Sequence, residues 1–148
     1  MYYKNQGGFG LNIVNEYFQY VKYNKNKNYL KIKIEINIDN KMRDKFIKNL
    51  AEYLSKFTNL TTLDLTENDL TGEGIEHLTK AFKENNNNIL SKLTTLNLSQ
   101  NLIGNEDMKF LEEALSKLTN LTMLDLTENE IKNEDIQNLN RLNLEINI

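Results

Sequence analysis

The sequence contains no cysteine, a single histidine and no long apolar run. Without cysteine there is neither a disulfide framework nor thiol chemistry, and with one histidine the usual nucleophile–base pairs and zinc sites are missing. No stretch is apolar enough to cross a bilayer, and the polar, glycine-rich start of the chain lacks the apolar region of a signal peptide. We therefore expect an intracellular protein, located in the cytoplasm.

The most informative feature is a phrase that occurs three times, at residues 60–70, 93–103 and 121–131. Each copy reads L-x-x-L-x-L-x-x-N-x-L, with isoleucine at the last position of the second and third copies. The asparagines Asn68, Asn101 and Asn129 are 33 and then 28 residues apart, and the polar run at 84–88 accounts for the difference as a loop insertion. The underlying period is therefore about 28 residues, which is typical of a repeat architecture.

Each copy predicts a unit of strand, loop and helix. The alternating leucines lie on one side of a short strand, and Asp64, Asn97 and Asp125 lie on the other. The asparagine that follows can bond its own backbone and, in a stack, the free groups of the neighbouring unit. Behind the strands, spacings of three and four predict apolar helix stripes: Ile75, Leu78 and Phe82; Met108, Leu111 and Leu115; Ile136 and Leu139. Asn105 and Asn133 are the predicted N-caps.

A unit of this size cannot bury its own apolar face, so the units must stack. On these residues the chain resembles the leucine-rich repeat family, and its period and full helix resemble the ribonuclease-inhibitor-like class. The resemblance covers residues 60–139. It implies an α/β solenoid, a short right-handed horseshoe with parallel strands on the concave face and helices on the convex face.

The remaining segments predict a single domain, 1–148. Residues 58–139 form three regular repeats. Residues 30–57 form a divergent repeat, because 30–38 alternate like a strand and 41–56 repeat the helix spacing, with Asp39 or Asn40 in place of the turn asparagine. The spacing of Leu11, Val14, Phe18 and Val21 predicts a capping helix, which with a linker occupies 1–29. Residues 140–148 alternate like a terminal strand, whose edge is either a closing cap, a pairing site or a junction with further repeats.

Charge is divided unevenly along the chain. Residues 1–57 carry 11 Lys or Arg against 5 Asp or Glu, net +6, whereas residues 58–148 carry 7 against 16, net −9. The halves would attract opposite partners, either as head-to-tail association or through an anionic partner of the basic half. Tyrosines interleave with the N-terminal lysines, but packing of a cap explains them better than nucleic acid does. A solvated surface with accidental asymmetry explains the charges equally well.

The same inventory disfavours catalysis. His77 is predicted to face solvent from a helix, and the Gly72-Glu-Gly74 segment lacks the lysine and hydroxyl residue of a phosphate-binding loop. Asp64 and Asp125, two strands apart, would be separated by roughly 9–10 Å, too far to share a metal ion. We predict no catalytic residues, no cofactor and no metal site.

What remains is recognition by a surface. We predict a non-enzymatic protein-interaction module or adaptor that binds a protein with a basic or polar contact segment on its concave face. The predicted site is Thr62, Asp64, Thr66, Glu67, Thr95, Asn97, Ser99, Gln100, Met123, Asp125, Thr127 and Glu128. One alternative is a structural subunit of a large assembly, held by its basic N-terminal part and its open terminal strand. A weaker one, implied only by the resemblance, is a regulator of a small GTPase.

Overall fold

A single six-stranded sheet runs in chain order through the protein. The computed structural model describes residues 18–24, 29–34, 47, 50, 54, 59–84, 89–132 and 135–148. The strands are β1 (Phe18–Asn24), β2 (Tyr29–Ile34), β3 (Thr62–Asp64), β4 (Thr95–Asn97), β5 (Met123–Asp125) and β6 (Glu145–Asn147). From β2 to β6 every neighbouring pair is parallel, so each repeat places its strand beside that of the next.

The register of the sheet is that of the sequence repeat. Leu63 pairs with Leu96 and Leu96 with Leu124, so the same position of each phrase lies side by side. Main-chain bonding continues past the strand ends, because the Leu65 N–H donates to the carbonyl of Asn97 at 2.9 Å. The repeats are therefore stacked without slippage.

Helices follow the strands on the other side of the core. They are α1 (Gly72–Glu84) and α2 (Met108–Leu115), with the 3-10 helices η1 (Ile89–Lys92), η2 (Asn105–Asp107) and η3 (Asp135–Leu142). The third regular repeat thus has a 3-10 helix where the sequence predicts a helix of the ordinary kind. Its buried residues Ile136 and Leu139 are three residues apart, which suits the three residues per turn of a 3-10 helix. The asparagines around them have a low α-helix propensity, so they do little to favour an α-helix instead.

One apolar core lies between the sheet and the helices. The six leucines at the alternating positions of β3, β4 and β5 and just beyond them are at most 1% exposed. Burying each stabilises the fold by about 1.5–3 kcal/mol. The predicted stripes of α1 and α2 are buried in the same cluster, as are the helical residues Ile47, Leu50 and Leu54 of the upstream repeat. The core therefore begins before the first regular repeat.

The prediction of an N-terminal capping helix is wrong over residues 18–24, which form strand β1, antiparallel to β2. The positions Leu11 and Val14 of that prediction lie outside the described residues. The spacing of Phe18 and Val21 fits a helix, but the segment is rich in aromatic and β-branched residues, which favour a strand when a partner strand is available. Residues 29–34 supply that partner.

The strand predicted within residues 30–38 is present over Tyr29–Ile34 and pairs with β3, Leu30 opposite Leu63. Asp39 and Asn40, predicted in place of the turn asparagine, lie outside the described residues, as does the N-cap predicted at Asn133. Asn105 is not a cap: it begins η2, and its side-chain oxygen accepts from the Lys132 N–H of the next repeat at 2.8 Å.

Candidate functional site

The face of the sheet opposite the core, which the sequence predicts to be concave, is hereafter the open face. The structure brings all twelve predicted residues together there in four rows, each crossing the three regular repeats. Strand pairing aligns the first two rows, and hydrogen bonds between repeats link the last two. The rows are Thr62, Thr95 and Met123; Asp64, Asn97 and Asp125; Thr66, Ser99 and Thr127; Glu67, Gln100 and Glu128. Most are half-buried or exposed, whereas Asp64 and Ser99 are 8% and 7% exposed.

In each regular repeat, the residue of the third row donates hydrogen bonds to the side chain of the second row, which closes a turn. Oδ1 of Asp64 accepts hydrogen bonds from the N–H and the hydroxyl of Thr66, at 3.1 and 2.7 Å. Asp125 accepts the same two bonds from Thr127, at 3.0 and 2.7 Å. In the middle repeat the side-chain oxygen of Asn97 serves equally well, with Ser99 as the donor. The turn therefore needs an acceptor oxygen at this position and does not need a charge.

The fourth row has a left-handed backbone. Glu67, Gln100 and Glu128 have φ values of 57°, 56° and 55°, which residues other than glycine seldom adopt. The conformation is held by the neighbouring repeat, because the Glu67 N–H donates to the carbonyl of Ser99 at 3.1 Å. The Gln100 amide nitrogen also donates to the Glu128 carboxylate at 3.1 Å. The site is therefore shaped by contacts between repeats.

Beneath the open face, the asparagines join the repeats as the sequence predicts. Oδ1 of Asn101 accepts from the N–H groups of Asn68 and Leu70, both at 3.0 Å. Its amide nitrogen donates to the carbonyls of Leu65, Leu98 and Ser99 at 2.8–3.1 Å. One side chain, 4% exposed, thus bonds five main-chain groups in two repeats, with the two amide hydrogens shared among three carbonyls. Such bonding fixes the turns from which the site residues project.

Threonines just before the strands form a second set of links. The hydroxyl of Thr94 donates to the carbonyl of Thr61, and that of Thr122 to the carbonyl of Thr94, each at 3.0 Å. Because these links repeat at both ends of the short strands, the three strands are held as a unit. A partner would therefore meet an open face that is already ordered, which reduces the entropy lost on binding.

The helix side carries several ion pairs. Glu113 contacts Lys83 at 2.6 Å, joining the first and second regular repeats, and Glu112 contacts Arg141. On α1, the hydrogen-bonded Lys80 holds the pKa of the Glu76 carboxyl below its usual value. His77 is less exposed than predicted, with 22% of its side chain accessible beside Glu73.

Sequence reasoning missed four charged residues on the same face. Lys31 of β2 pairs with Asp64, and Lys22 of β1 pairs with Lys31, so both occupy open-face positions, as does Lys33 two residues further along β2. Glu145 of β6 pairs with Met123 and is exposed. The alternation of residues 30–34 was the available signal, but only the pairing with β3 shows which repeat position each lysine occupies.

Two features are absent from the described part of the chain. No group of three or more His, Cys, Asp or Glu residues is placed to hold a metal ion. Among the helices of the same residues, none has the length and apolarity needed to span a membrane.

Comparison with family models supports the repeat. The family described as Leucine Rich repeat matches residues 58–78, 90–111 and 117–139. A solved structure of Chaetomium Mex67:Mtr2 subunits resembles the chain with a TM-score of 0.59 and 19% identity, covering 84% of this chain and 81% of that one. An internalin (inlF) from Listeria monocytogenes has a TM-score of 0.33 and 24% identity, covering 63% of this chain and 29% of its own. No curated protein matches.

The three matched segments each contain one copy of the phrase, and their strands and helices stack as the repeat requires. The fold predicted from the sequence, an α/β solenoid of such repeats, is confirmed. The chain is a leucine-rich repeat protein.

Proposed function

We propose that this protein is a non-enzymatic interaction module that binds a protein partner through the open face, at the twelve residues of the four rows. One observation supports this most strongly. Parallel sheets are ordinarily covered on both faces, yet in the described residues β3, β4 and β5 are covered by helices on one face only. A polar face of this kind, held in shape by bonds between repeats, suits a partner better than it suits a core.

The repeat also indicates how a partner would be bound. Leucine-rich repeats are interaction modules, and the open face has acidic residues in its first and third regular repeats, where a basic or polar contact segment would fit. We place the protein inside the cell, in agreement with its lack of cysteine.

The chain provides its own template for testing the site. The middle repeat has Asn97 and Gln100 where the outer repeats have aspartate and glutamate. The neutral-face variant, with Asp64→Asn, Glu67→Gln, Asp125→Asn and Glu128→Gln, removes four charges and keeps the acceptor oxygens that the turns need. A helix-side control removes four charges by Glu73→Gln, Glu76→Gln, Glu106→Gln and Glu113→Gln.

Both variants and the unaltered protein would be used to capture proteins from the source cell, after circular dichroism has shown that all three are folded. We expect the neutral-face variant to lose a dominant partner, with affinity reduced about tenfold or more, and the helix-side control to retain it. Equal capture by all three proteins would refute the proposed site.

A second candidate is a structural subunit held by the ends of the sheet. Leu124 and Leu126 are 0% and 1% exposed, whereas the residues at the equivalent positions in and just after the last strand are not fully covered: Ile146 is half-buried and Ile148 is 53% exposed. If this end is the contact, Ile148→Lys abolishes co-purification of the assembly while the neutral-face variant leaves it intact. No observation in the described residues favours a regulator of a small GTPase.

A further inference from the structure

The charges of the sheet are segregated by strand. Strands β1 and β2 contain three lysines, Lys22, Lys31 and Lys33, and no acidic residue. Strands β3 to β6 contain Asp64, Asp125 and Glu145 and no basic residue. The change of sign along the chain is therefore also a change of sign across one sheet.

All six charged residues occupy positions on the open face. Lys22, Lys31, Asp64 and Asp125 share one row across the sheet, in which Asn97 separates the two aspartates. Lys33 and Glu145 lie at positions of the same parity, because residues two apart along a strand share a face. The leucines and isoleucines between them occupy the core positions. The open face is thus basic at β1–β2 and acidic at β5–β6.

The two ends are far enough apart to act separately. Adjacent strands are spaced by about 4.8 Å, so Lys31 and Asp125, three strands apart, are separated by roughly 14 Å. Interactions between exposed charges are screened over about 8–10 Å at physiological ionic strength. Asp64, one strand from Lys31, partly neutralises the basic end, whereas β4 contributes no charge. The open-face positions of β1–β2 therefore carry lysines, and those of β5–β6 carry carboxylates.

From this arrangement we propose, building on the proposed function, that the occupant of the open face is a polypeptide segment with its own charges segregated, acidic residues over β1–β2 and basic residues over β5–β6. The six strands span about 24 Å, which an extended segment crosses in about seven residues. A second copy of this chain has the same segregation, but its strands would also form a concave surface, and two concave surfaces meet only at their rims.

The experiment is selection from a displayed library of random nine-residue peptides on the intact chain. Selected peptides should carry acidic residues in one half and basic residues in the other. When such a peptide is synthesised, rearranging its charges to alternate at constant composition should raise Kd about tenfold, measured by fluorescence anisotropy. Peptides without charge segregation, or a Kd that does not depend on charge order, would overturn the proposal.

Variants of the protein test each end separately. With Lys31→Glu and Lys33→Glu, selection should shift to uniformly basic peptides; with Asp125→Asn, Glu128→Gln and Glu145→Gln, the basic half should lose its enrichment. The control Glu73→Gln, Glu106→Gln, Glu113→Gln should select the original class. If the lysine variant does not fold, the same interaction is tested from the peptide side. Neutralising the acidic half of the peptide should then weaken its binding to the unaltered chain. No weakening contradicts the proposed role of the lysines.

Two further outcomes are distinguishable. A dimer in sedimentation velocity that dissociates on Lys31→Glu, Lys33→Glu substitution would assign the face to a second copy and overturn the peptide proposal. Loss of the captured partner in the neutral-face variant, together with no effect of charge order, would leave the proposed function standing and refute this inference alone.

Discussion

At the scale of single residues, the asparagines of the second and third regular repeats each join two turns. Asn101 bonds main-chain groups in its own repeat and in the one before it, and Asn129 does the same one repeat later. They differ in burial, because Asn101 is 4% exposed whereas Asn129 is half-buried. Water cannot replace the hydrogen bond that a buried main-chain group loses, but it can reach a half-buried one. Truncation should therefore have different effects at the two positions.

We expect Asn101→Ala to lower the free energy of unfolding by about 4 kcal/mol, because several buried groups lose their partner at about 1–3 kcal/mol each and the losses are not fully additive. Asn129→Ala should cost about half as much. Urea unfolding followed by circular dichroism measures both. Asn101→Asp is the control: it keeps the acceptor oxygen but removes the donor, and it should remain destabilising. Equal small losses at both positions would contradict the structural role of the asparagines.

The left-handed position gives a second prediction at this scale. At Gln100, with φ of 56°, a β-branched residue is strained and asparagine is tolerated. Gln100→Val should therefore destabilise the protein by about 1–2 kcal/mol, and Gln100→Asn by much less. Both substitutions remove the hydrogen bond to Glu128, so the difference between their thermal unfolding midpoints isolates the backbone strain. Identical midpoints would show that the left-handed conformation is not required.

At the scale of elements, the start of α1 contacts η2, the 3-10 helix that precedes α2 in the following repeat. A β-carbon added at Gly72 would clash with Oδ1 of Asp107. The other carboxylate oxygen of Asp107 accepts from the Gly104 N–H at 2.9 Å, closing the turn that begins η2. The glycine therefore allows the two repeats to approach each other, and the carboxylate cannot move away without losing its bond.

A double-mutant cycle tests this contact. Gly72→Ala should destabilise the unaltered protein by about 1 kcal/mol, because the displaced carboxylate no longer caps the turn. In an Asp107→Ala background the same change should be neutral or stabilising by about 0.5 kcal/mol, since alanine favours a helix more than glycine does. A change of sign between backgrounds, measured by urea unfolding, establishes the contact. Additive effects would exclude it.

The same elements show what a sequence can predict. The repeated leucines and Asn101 were enough to predict the strands, the core and the bonds between turns, because each of these features depends on a position that recurs in every regular repeat. Contacts between different positions were not predictable: Gly72 and Asp107 are distant in sequence, and the left-handed Gln100 depends on a carbonyl of the next repeat. Strand β1 was missed because its apolar spacing fits a helix and only the pairing with β2 decides between the two.

The predicted site follows the same division. Its four rows were predictable because they repeat, and the structure aligns them in register. Its extension across β1 and β2 was not predictable, because the position of Lys22 depends on the antiparallel pairing of β1 with β2, and that of Lys31 on the pairing of β2 with β3. The turn bonds of Asp64 and Asp125 also show that their carboxylates have a structural role, which charge-reversing substitutions would disturb.

At the scale of the whole molecule, the solenoid is a series of equivalent units with different neighbours. In such a stack, the stability of a unit is the sum of its own contribution and those of its interfaces. The middle repeat has a regular repeat on each side, whereas β6 pairs only with β5 in the described residues. The core position agrees with this, because Leu96 is 0% exposed and its counterpart Ile146 is half-buried.

Three equivalent amides report this gradient directly. The N–H groups of Leu65, Leu98 and Leu126 donate to the carbonyls of Asn97, Asp125 and Asn147 at 2.9, 2.9 and 2.8 Å. Because the bonds have the same length, differences in their hydrogen exchange measure how often each repeat opens. We expect Leu126 to exchange at least tenfold faster than Leu98, since opening β6 breaks one interface and opening β5 breaks two. Leu96→Ala should likewise lower the free energy of unfolding by about 3 kcal/mol, and Ile146→Ala by about 1 kcal/mol, because Ile146 is only half-buried. Uniform protection of the three amides would show instead that the repeats unfold as one cooperative unit, with no weaker end at β6.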